Sequence, residues 1–253
     1  IGTAVIDGGQ IASLSIGDSY SIDDLSKIYP PPPEPLQHYM AASQWMVRDA
    51  NWSPDFPTAA AKIQELYSFS TGEQTDGVIA FDQSVLPRLL AISGPVDLEG
   101  SSEPIGASNV EQYIQAAWAP SPGQGITPEW WEHRKDFMAR LGSAILARIQ
   151  SSSDRGQLVA LAREGLALLR EKHVLIAVDD ERITALLSQV ALDGALQTGS
   201  GDFLMLVDSN LGFNKVDGRI ERSLTYTVDL RDPASTQAEV LIHYQHTAAE
   251  TVA

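Results

Sequence analysis

The spacing of hydrophobic residues changes along this chain, and each type of spacing predicts a strand or a helix. Apolar runs at 3–6 and 11–16 flank Asp7-Gly8-Gly9, a pattern typical of a β-hairpin. The short apolar run "DGVIAFD" (76–82) is bounded by turn residues and predicts a buried strand. The run "HVLIAV" (173–178) predicts another strand, about a hundred positions later.

Helical spacing occurs around and between these runs. A stiff proline-rich connector, "YPPPPEP" (29–35), precedes a predicted helix that ends near Arg48. The next helix is predicted to begin after Thr58 as its N-cap residue. Long amphipathic helices are predicted from about 129 to 149 and from 156 to 170, and a last one after Asp179 or Asp180.

The order of these elements indicates the fold class. Strands alternate with helices up to about residue 195, which is typical of an α/β protein. Beyond that point the runs "DFLMLVD", "RSLTYTVDL" and "EVLIHYQHT" are strand-like, and "LTYTVDL" alternates with period two. We therefore predict an α/β domain over 1–198, with a central mixed sheet flanked by helices, and a β-rich extension over 199–253. That extension is either a small β module or an addition to the main sheet.

Composition narrows the function classes. The formal charge of −16 over 253 residues disfavours nucleic-acid binding, which needs clustered basic residues. The absence of cysteine excludes disulfides and zinc–thiolate sites. No apolar run reaches the roughly 18 residues that span a bilayer. Because the first residues already resemble the middle of a strand, we expect the natural start, with a membrane anchor, to lie upstream.

The stretch "RDANWSPDFP" (48–57) carries the densest candidate chemistry. Its two prolines predict a rigid loop, and Arg48 is predicted at a helix C-terminus, where the helix dipole favours a cation. Asp49, Asn51 and Asp55 offer oxygen ligands of the kind Mg²⁺ accepts, so the stretch fits phosphoryl chemistry. The alternative is structural: an Arg48–Asp salt bridge and side-chain turns that fix a loop, which composition alone favours.

A second candidate feature is the pair Trp130-Trp131, next to a predicted helix start. These rings are suited to stacking on a sugar or lying in a membrane interface. Packing in the core explains them equally well.

Several segments together resemble a bacterial family classed as a domain of unknown function. They are "IGTAVIDGGQIASLSIGDSYSIDDL", "RDANWSPDFPTAA", "DGVIAFDQSVLPRLLAISGPVDL" and "DSNLGFNKVDGRIERSLTYTVDL". Members of that family are envelope proteins, typically anchored by an upstream membrane segment. The resemblance implies an extracytoplasmic, cell-surface location for this chain.

The order of motifs is also similar, more remotely, to the LytR-CpsA-Psr group. That group transfers glycopolymers from polyprenyl-pyrophosphate carriers to the cell wall. "TAVIDGGQIASLSI" is similar to the strands before the group's Pro-Arg-Asp motif. "EHRKDFMARLGSAI" is similar to the helix whose arginine contacts pyrophosphate, which makes Arg134 the counterpart.

This chain departs from the group at two motif positions. Gly17-Asp18-Ser19 stands where the group has Pro-Arg-Asp, and Pro95 replaces a glycine. We hypothesise that Arg48 substitutes for the missing arginine.

The resemblance then implies that Arg48, Arg134 and Asn51 bind the pyrophosphate of a lipid-linked glycopolymer. Asp49 and Asp55 would hold Mg²⁺ or orient the acceptor, which makes Arg48, Asp49 and Asp55 the catalytic candidates of a phosphotransferase. The alternative function is a non-catalytic surface module that keeps the fold without the chemistry.

Overall fold

A computed structural model describes residues 1–118, 127, 130, 133, 135–211, 216–232 and 235–247. These residues form two compact units. The first comprises Ile1–Pro30 and Gln44–Phe203, and the second comprises Pro31–Ser43 and Leu204–Ala253. The second unit is therefore built from two separate stretches of the chain.

The described helices and strands follow one another in mixed order, which gives an α/β composition. The strands are β1 (Gly2–Asp7), β2 (Gln10–Ile16), β3 (Gly77–Phe81), β4 (Val174–Val178), β5 (Ile220–Asp229) and β6 (Gln237–His246). The helices are α1 (Glu34–Met40), α2 (Phe56–Thr71), α3 (Val85–Ser93), α4 (Val110–Trp118), α5 (Asp136–Gln150), α6 (Arg155–Arg170) and α7 (Glu181–Gln189).

The described strands form three separate two-stranded antiparallel sheets. β1 and β2 make the hairpin predicted around Gly8-Gly9, and both glycines have positive φ. β3 pairs with β4 in the register Gly77↔Val178. The mixed α/β composition agrees with the sequence analysis, but these residues form no single central mixed sheet, because each described strand pairs with one other strand.

Two apolar clusters hold the first unit together, and burial of such side chains is the main favourable term in folding. One cluster joins the second half of α2 to earlier parts of the chain; its buried members are Tyr29, Met46, Val47, Ala50, Leu66 and Tyr67. The other joins α3, α4 and α5; its buried members are Leu90, Val96, Ile105, Val110, Leu141 and Ile145. The periodic apolar positions predicted for α5 supply part of this second cluster.

In the second unit, β5 and β6 form a ten-residue antiparallel ladder with the register Ile220↔His246. Alternation puts Leu224, Tyr226 and Val240 on one face, and all three side chains stay exposed. Asp208 is tied to this ladder, because the Tyr244 hydroxyl donates to its carboxylate at 2.7 Å and Arg222 forms an ion pair with it at 2.5 Å.

Three local predictions were wrong. The helix predicted to reach Arg48 ends at Met40, where Ala41 adopts a left-handed conformation with φ 51°. The N-cap of α2 is Asp55 and not Thr58. The predicted strand at "DFLMLVD" has no regular secondary structure. Among the described residues, no helix combines the length and the apolar composition that a bilayer crossing requires.

Candidate functional site

The stretch that contains Arg48 is a short 3₁₀ turn, Val47–Asp49, instead of a helix end. Its neighbours fix it from both sides. The indole Nε1 of Trp45 donates to the carbonyl oxygen of Asp49 at 3.0 Å, and Val47 and Ala50 are buried in the first apolar cluster. Buried residues on both sides of the partly exposed pair Arg48 and Asp49 hold the turn, so Arg48 has a defined direction.

Arg48 forms an ion pair with Asp23, whose side chain is fully buried. Its Nη1 lies 3.2 Å from Oδ2 of Asp23, while Oδ1 of Asp23 accepts a hydrogen bond from the backbone N–H of Val47 at 2.8 Å. Burial raises the pKa of Asp23, and the Val47 N–H and the Arg48 guanidinium act in the opposite direction. The loop is therefore tied to Asp23 through both carboxylate oxygens.

Two cationic side chains lie over the exposed ring of Tyr20. The guanidinium carbon of Arg48 and the Nζ of Lys135 each lie 4.8 Å from its centroid, within the range of cation–π attraction. Lys135 also forms an ion pair with Asp18. Asp18 caps the 3₁₀ turn Ser19–Ser21 by accepting from the N–H of Tyr20, and this turn directly follows β2. Segments distant in sequence thus converge on one tyrosine. The residues that meet here are called the Tyr20 cluster: Asp18, Tyr20, Asp23, Arg48, Asp49 and Lys135.

Asp49 and Asn51 lie at the edge of this cluster. Oδ2 of Asp49 is 3.7 Å from the Nε of Arg48, and burial raises the pKa of the Asp49 carboxyl, against the lowering effect of Arg48. Asn51 is exposed. Two cations, Arg48 and Lys135, therefore face the three carboxyl groups of Asp18, Asp23 and Asp49.

Asp55 is the N-cap of α2, and both of its carboxylate oxygens are engaged. Oδ2 accepts from the backbone N–H and the hydroxyl of Thr58 at 3.1 and 2.5 Å, and Oδ1 accepts from the N–H of Leu196 at 3.0 Å. These hydrogen bonds lower the pKa of the Asp55 carboxyl, with the Thr58 hydroxyl contributing most. The residue therefore joins a helix start to a segment 141 positions away.

We expect Asp55→Ala to lower the free energy of unfolding by about 1–2 kcal/mol at neutral pH, because the helix loses its cap. Since the folded pKa is lowered, the contribution of Asp55 is fully present above its ordinary pKa of 3.8 and is lost as the pH falls through the folded value. Urea unfolding at several pH values measures both effects.

Asp55→Asn is the matched control for this prediction. An asparagine is an equally good N-cap residue for α2, because its side-chain oxygen can also accept from the N–H of Thr58. It cannot carry the titrating charge. Its loss of stability should be smaller than that of Asp55→Ala at every pH. Both losses should decrease in parallel as the pH falls, because both variants lack the titrating carboxylate. Losses of equal size in the two variants would contradict the capping role.

The predicted Mg²⁺ ligands are poorly placed for a metal in this arrangement. Both oxygens of Asp55 are used by Thr58 and Leu196, and Asp49 faces the Arg48 guanidinium. In the part of the chain that the structure describes, no group of three or more His, Asp or Glu side chains is arranged to hold a metal ion. The Mg²⁺ site stays a prediction. Arg134 and Trp131, both singled out from the sequence, lie outside the described residues.

Three members of the cluster were missed in the sequence analysis: Tyr20, Asp23 and Lys135. All three lie within the segments compared with known families. Tyr20 directly follows Ser19 and Lys135 directly follows Arg134, whereas Asp23 lies four positions beyond Ser19. The available signal was proximity to the Gly17-Asp18-Ser19 and Arg134 motif positions. Asp23 and Lys135 are not part of any periodic hydrophobic pattern, so the spacing of residues could not predict their partners.

Comparison with known proteins gives one result. No curated protein and no solved structure matches the chain significantly. Residues 1–117, which contain the hairpin, Asp23 and Arg48, match the model of a family described as "Protein of unknown function (DUF4012)", so this part of the chain is similar to a domain of unknown function.

Proposed function

We propose that this chain is a non-catalytic extracytoplasmic module of the bacterial cell envelope. The observation that carries the proposal is the pairing of the candidate cations. Arg48 forms an ion pair with the buried carboxylate of Asp23, and Lys135 forms one with the carboxylate of Asp18. An arginine that serves a phosphoryl group in catalysis needs its donors directed at that group.

Local charge also supports this proposal. Among the residues that the structure describes, the cluster has two basic side chains and three acidic ones, a balance that does not favour a pyrophosphate. Displacing Asp23 from Arg48 would leave a fully buried carboxyl without its ion-pair partner, which is costly. The candidate catalytic acid Asp55 serves as a helix cap. Each charged group thus has a structural role that accounts for its position.

A second candidate function is binding, with or without transfer, of a polyprenyl-pyrophosphate-linked glycopolymer. It is favoured by the two cations that share the Tyr20 ring, since Tyr20 follows the strand that resembles the LytR-CpsA-Psr motif strand. Lys135 is adjacent in sequence to the proposed counterpart Arg134. In this function Arg48 would turn from Asp23 toward the ligand, and Mg²⁺ would offset the acidic groups.

Isothermal titration of the chain with farnesyl pyrophosphate and Mg²⁺ separates these functions. For a non-catalytic module we expect no saturable heat at ligand concentrations up to about 1 mM, a limit that corresponds to roughly 4 kcal/mol of binding free energy. The paired cations cannot contribute enough attraction without breaking the Asp23 and Asp18 ion pairs.

Variants locate any binding that is found. The module proposal is overturned, in favour of the second candidate, by saturable binding that depends on the cluster. Such binding would be lost in Arg48→Ala and Lys135→Met but kept in Arg182→Ala, a control at an exposed residue of α7. Circular dichroism should confirm that each variant is folded. Binding that is insensitive to both cluster substitutions would contradict the pyrophosphate site.

A further inference from the structure

A cavity of about 600 Å³ opens at one side of the second apolar cluster. Its walls come from α4, from the start of α5, and from the turn at 99–102 that follows Val96 and Leu98. This volume falls within the range of small-ligand sites in proteins. The cavity is lined by residues other than those of the Tyr20 cluster, so it requires its own explanation.

Three of the more buried residues in the described lining are aromatic, Phe137, Tyr113 and Trp130, and they are here called the floor of the cavity. Phe137 is buried, and Tyr113 packs edge-on against it with ring centroids 6.0 Å apart and planes at 78°. Trp118 contacts Phe137 in a similar way at 5.7 Å. These contacts fix the orientation of the rings, while Tyr113 remains only partly buried and borders the open space. Trp130 also borders the cavity.

Most of the more exposed residues of the described lining, here called the rim, are polar, and their charges are balanced. Glu99 and Arg140 contribute one charge of each sign, and Ser101 and Ser102 add hydroxyl groups. His133 lies on the rim, and its Nδ1 is 2.8 Å from the carboxylate of Asp136. The described residues of the rim therefore offer both donors and acceptors, and among them positive charge is not in excess.

We infer that this cavity binds an uncharged carbohydrate, a segment of a hexopyranose chain. A pyranose ring has an apolar C–H face, which is attracted to the electron-rich face of an aromatic ring. Its hydroxyl groups donate and accept, so they need mixed partners such as Glu99, Arg140 and the serines. An aromatic floor below a charge-balanced polar rim meets both requirements.

Other ligand classes fit the lining less well. A phosphate or pyrophosphate would face Glu99 as well as Arg140, and would gain nothing from the aromatic floor. A prenyl chain would use the floor but would leave the polar rim without hydrogen-bond partners. The inference rests on the proposed function, for which it supplies a ligand class: envelope glycan.

Titration with neutral tetrasaccharides tests the inference. The probes are cellotetraose, maltotetraose and the β-1,4-linked N-acetylglucosamine tetrasaccharide, each followed by ¹H–¹⁵N NMR and by tryptophan fluorescence. We expect at least one to bind with a Kd of about 0.1–1 mM. Tyr113→Ala should weaken that binding about tenfold or more, and Tyr113→Phe should keep it within about threefold, because stacking depends on the ring.

Tyr39→Ala, at an exposed tyrosine of α1, is the matched control and should bind as the unchanged chain does. Trp130→Ala gives a second test at another aromatic residue of the lining. The inference is overturned if no tetrasaccharide saturates, or if folded Tyr113→Ala and Trp130→Ala bind as tightly as the unchanged chain.

The two proposals fail in different ways. Absence of both sugar and pyrophosphate binding overturns the carbohydrate inference and leaves the module proposal standing. Pyrophosphate binding that depends on Arg48 overturns the module proposal, whatever the tetrasaccharides do.

Discussion

Replacing Asp23 by alanine is expected to lower the free energy of unfolding by about 3–5 kcal/mol, the cost typical of removing one partner from a buried ion pair. The side chain of Asp23 is fully buried and satisfies two donors, the N–H of Val47 and the guanidinium of Arg48. Without it, the N–H of Val47 has lost its acceptor inside the first apolar cluster. Urea unfolding at neutral pH measures the loss.

Two controls separate the buried ion pair from general effects of charge. Asp24→Ala removes the neighbouring carboxylate, which is partly exposed, and should cost far less. Asp23→Asn keeps an acceptor for Val47 but loses the charge opposite Arg48, so an intermediate loss is expected. An Asp23→Ala loss below about 1 kcal/mol would show that the Arg48 turn is held mainly by packing.

Gly194→Ala should destabilise the chain by about 2–5 kcal/mol. Gly194 has φ +71°, which costs an alanine about 1–2 kcal/mol. A Cβ there would also lie 2.9 Å from the Cβ of Phe56 and 3.0 Å from Cδ2 of Leu175, and relieving such overlap typically costs 1–3 kcal/mol more. Thermal or urea unfolding of the variant measures the sum.

Gly199→Ala isolates the backbone contribution. Gly199 has a similar φ of +62°, but a Cβ there would meet no atom within 4 Å. We therefore expect this variant to lose about 1–2 kcal/mol. Equal losses in the two variants would mean that the space between Phe56 and Leu175 can adjust at no cost, contrary to the close packing described above.

Periodicity predicted those parts of the fold that depend on neighbours in sequence. The first hairpin, both strands of the β3–β4 sheet and the positions of α5 and α6 were recognisable, because each has its own apolar pattern. The end of α1 was not, since Ala41 adopts a left-handed conformation that non-glycine residues seldom take. The antiparallel pairing of β3 with β4 was also missed, because partner choice depends on contacts distant in sequence.

In the candidate site, too, the sequence did not predict contacts between residues that are distant along the chain. The sequence identified Arg48 and the structural alternative for its loop, a salt bridge with an aspartate. It could not identify which aspartate, because Asp23 lies 25 positions before Arg48 and has no periodic relation to it. Lys135 likewise reaches Asp18 across 117 positions. Such partners are chosen by the packing of whole elements, which local patterns do not encode.

The β3–β4 ladder has a consequence for how the chain folds. Phe81 pairs with Val174, so α3, α4, α5 and α6 all lie in the loop that this sheet closes. Non-local pairing of this kind slows folding, because the entropy of loop closure is lost before the strands gain their contacts. During synthesis β3 must wait for β4 to emerge from the ribosome, and a fragment that ends before residue 174 leaves β3 without the partner strand described here.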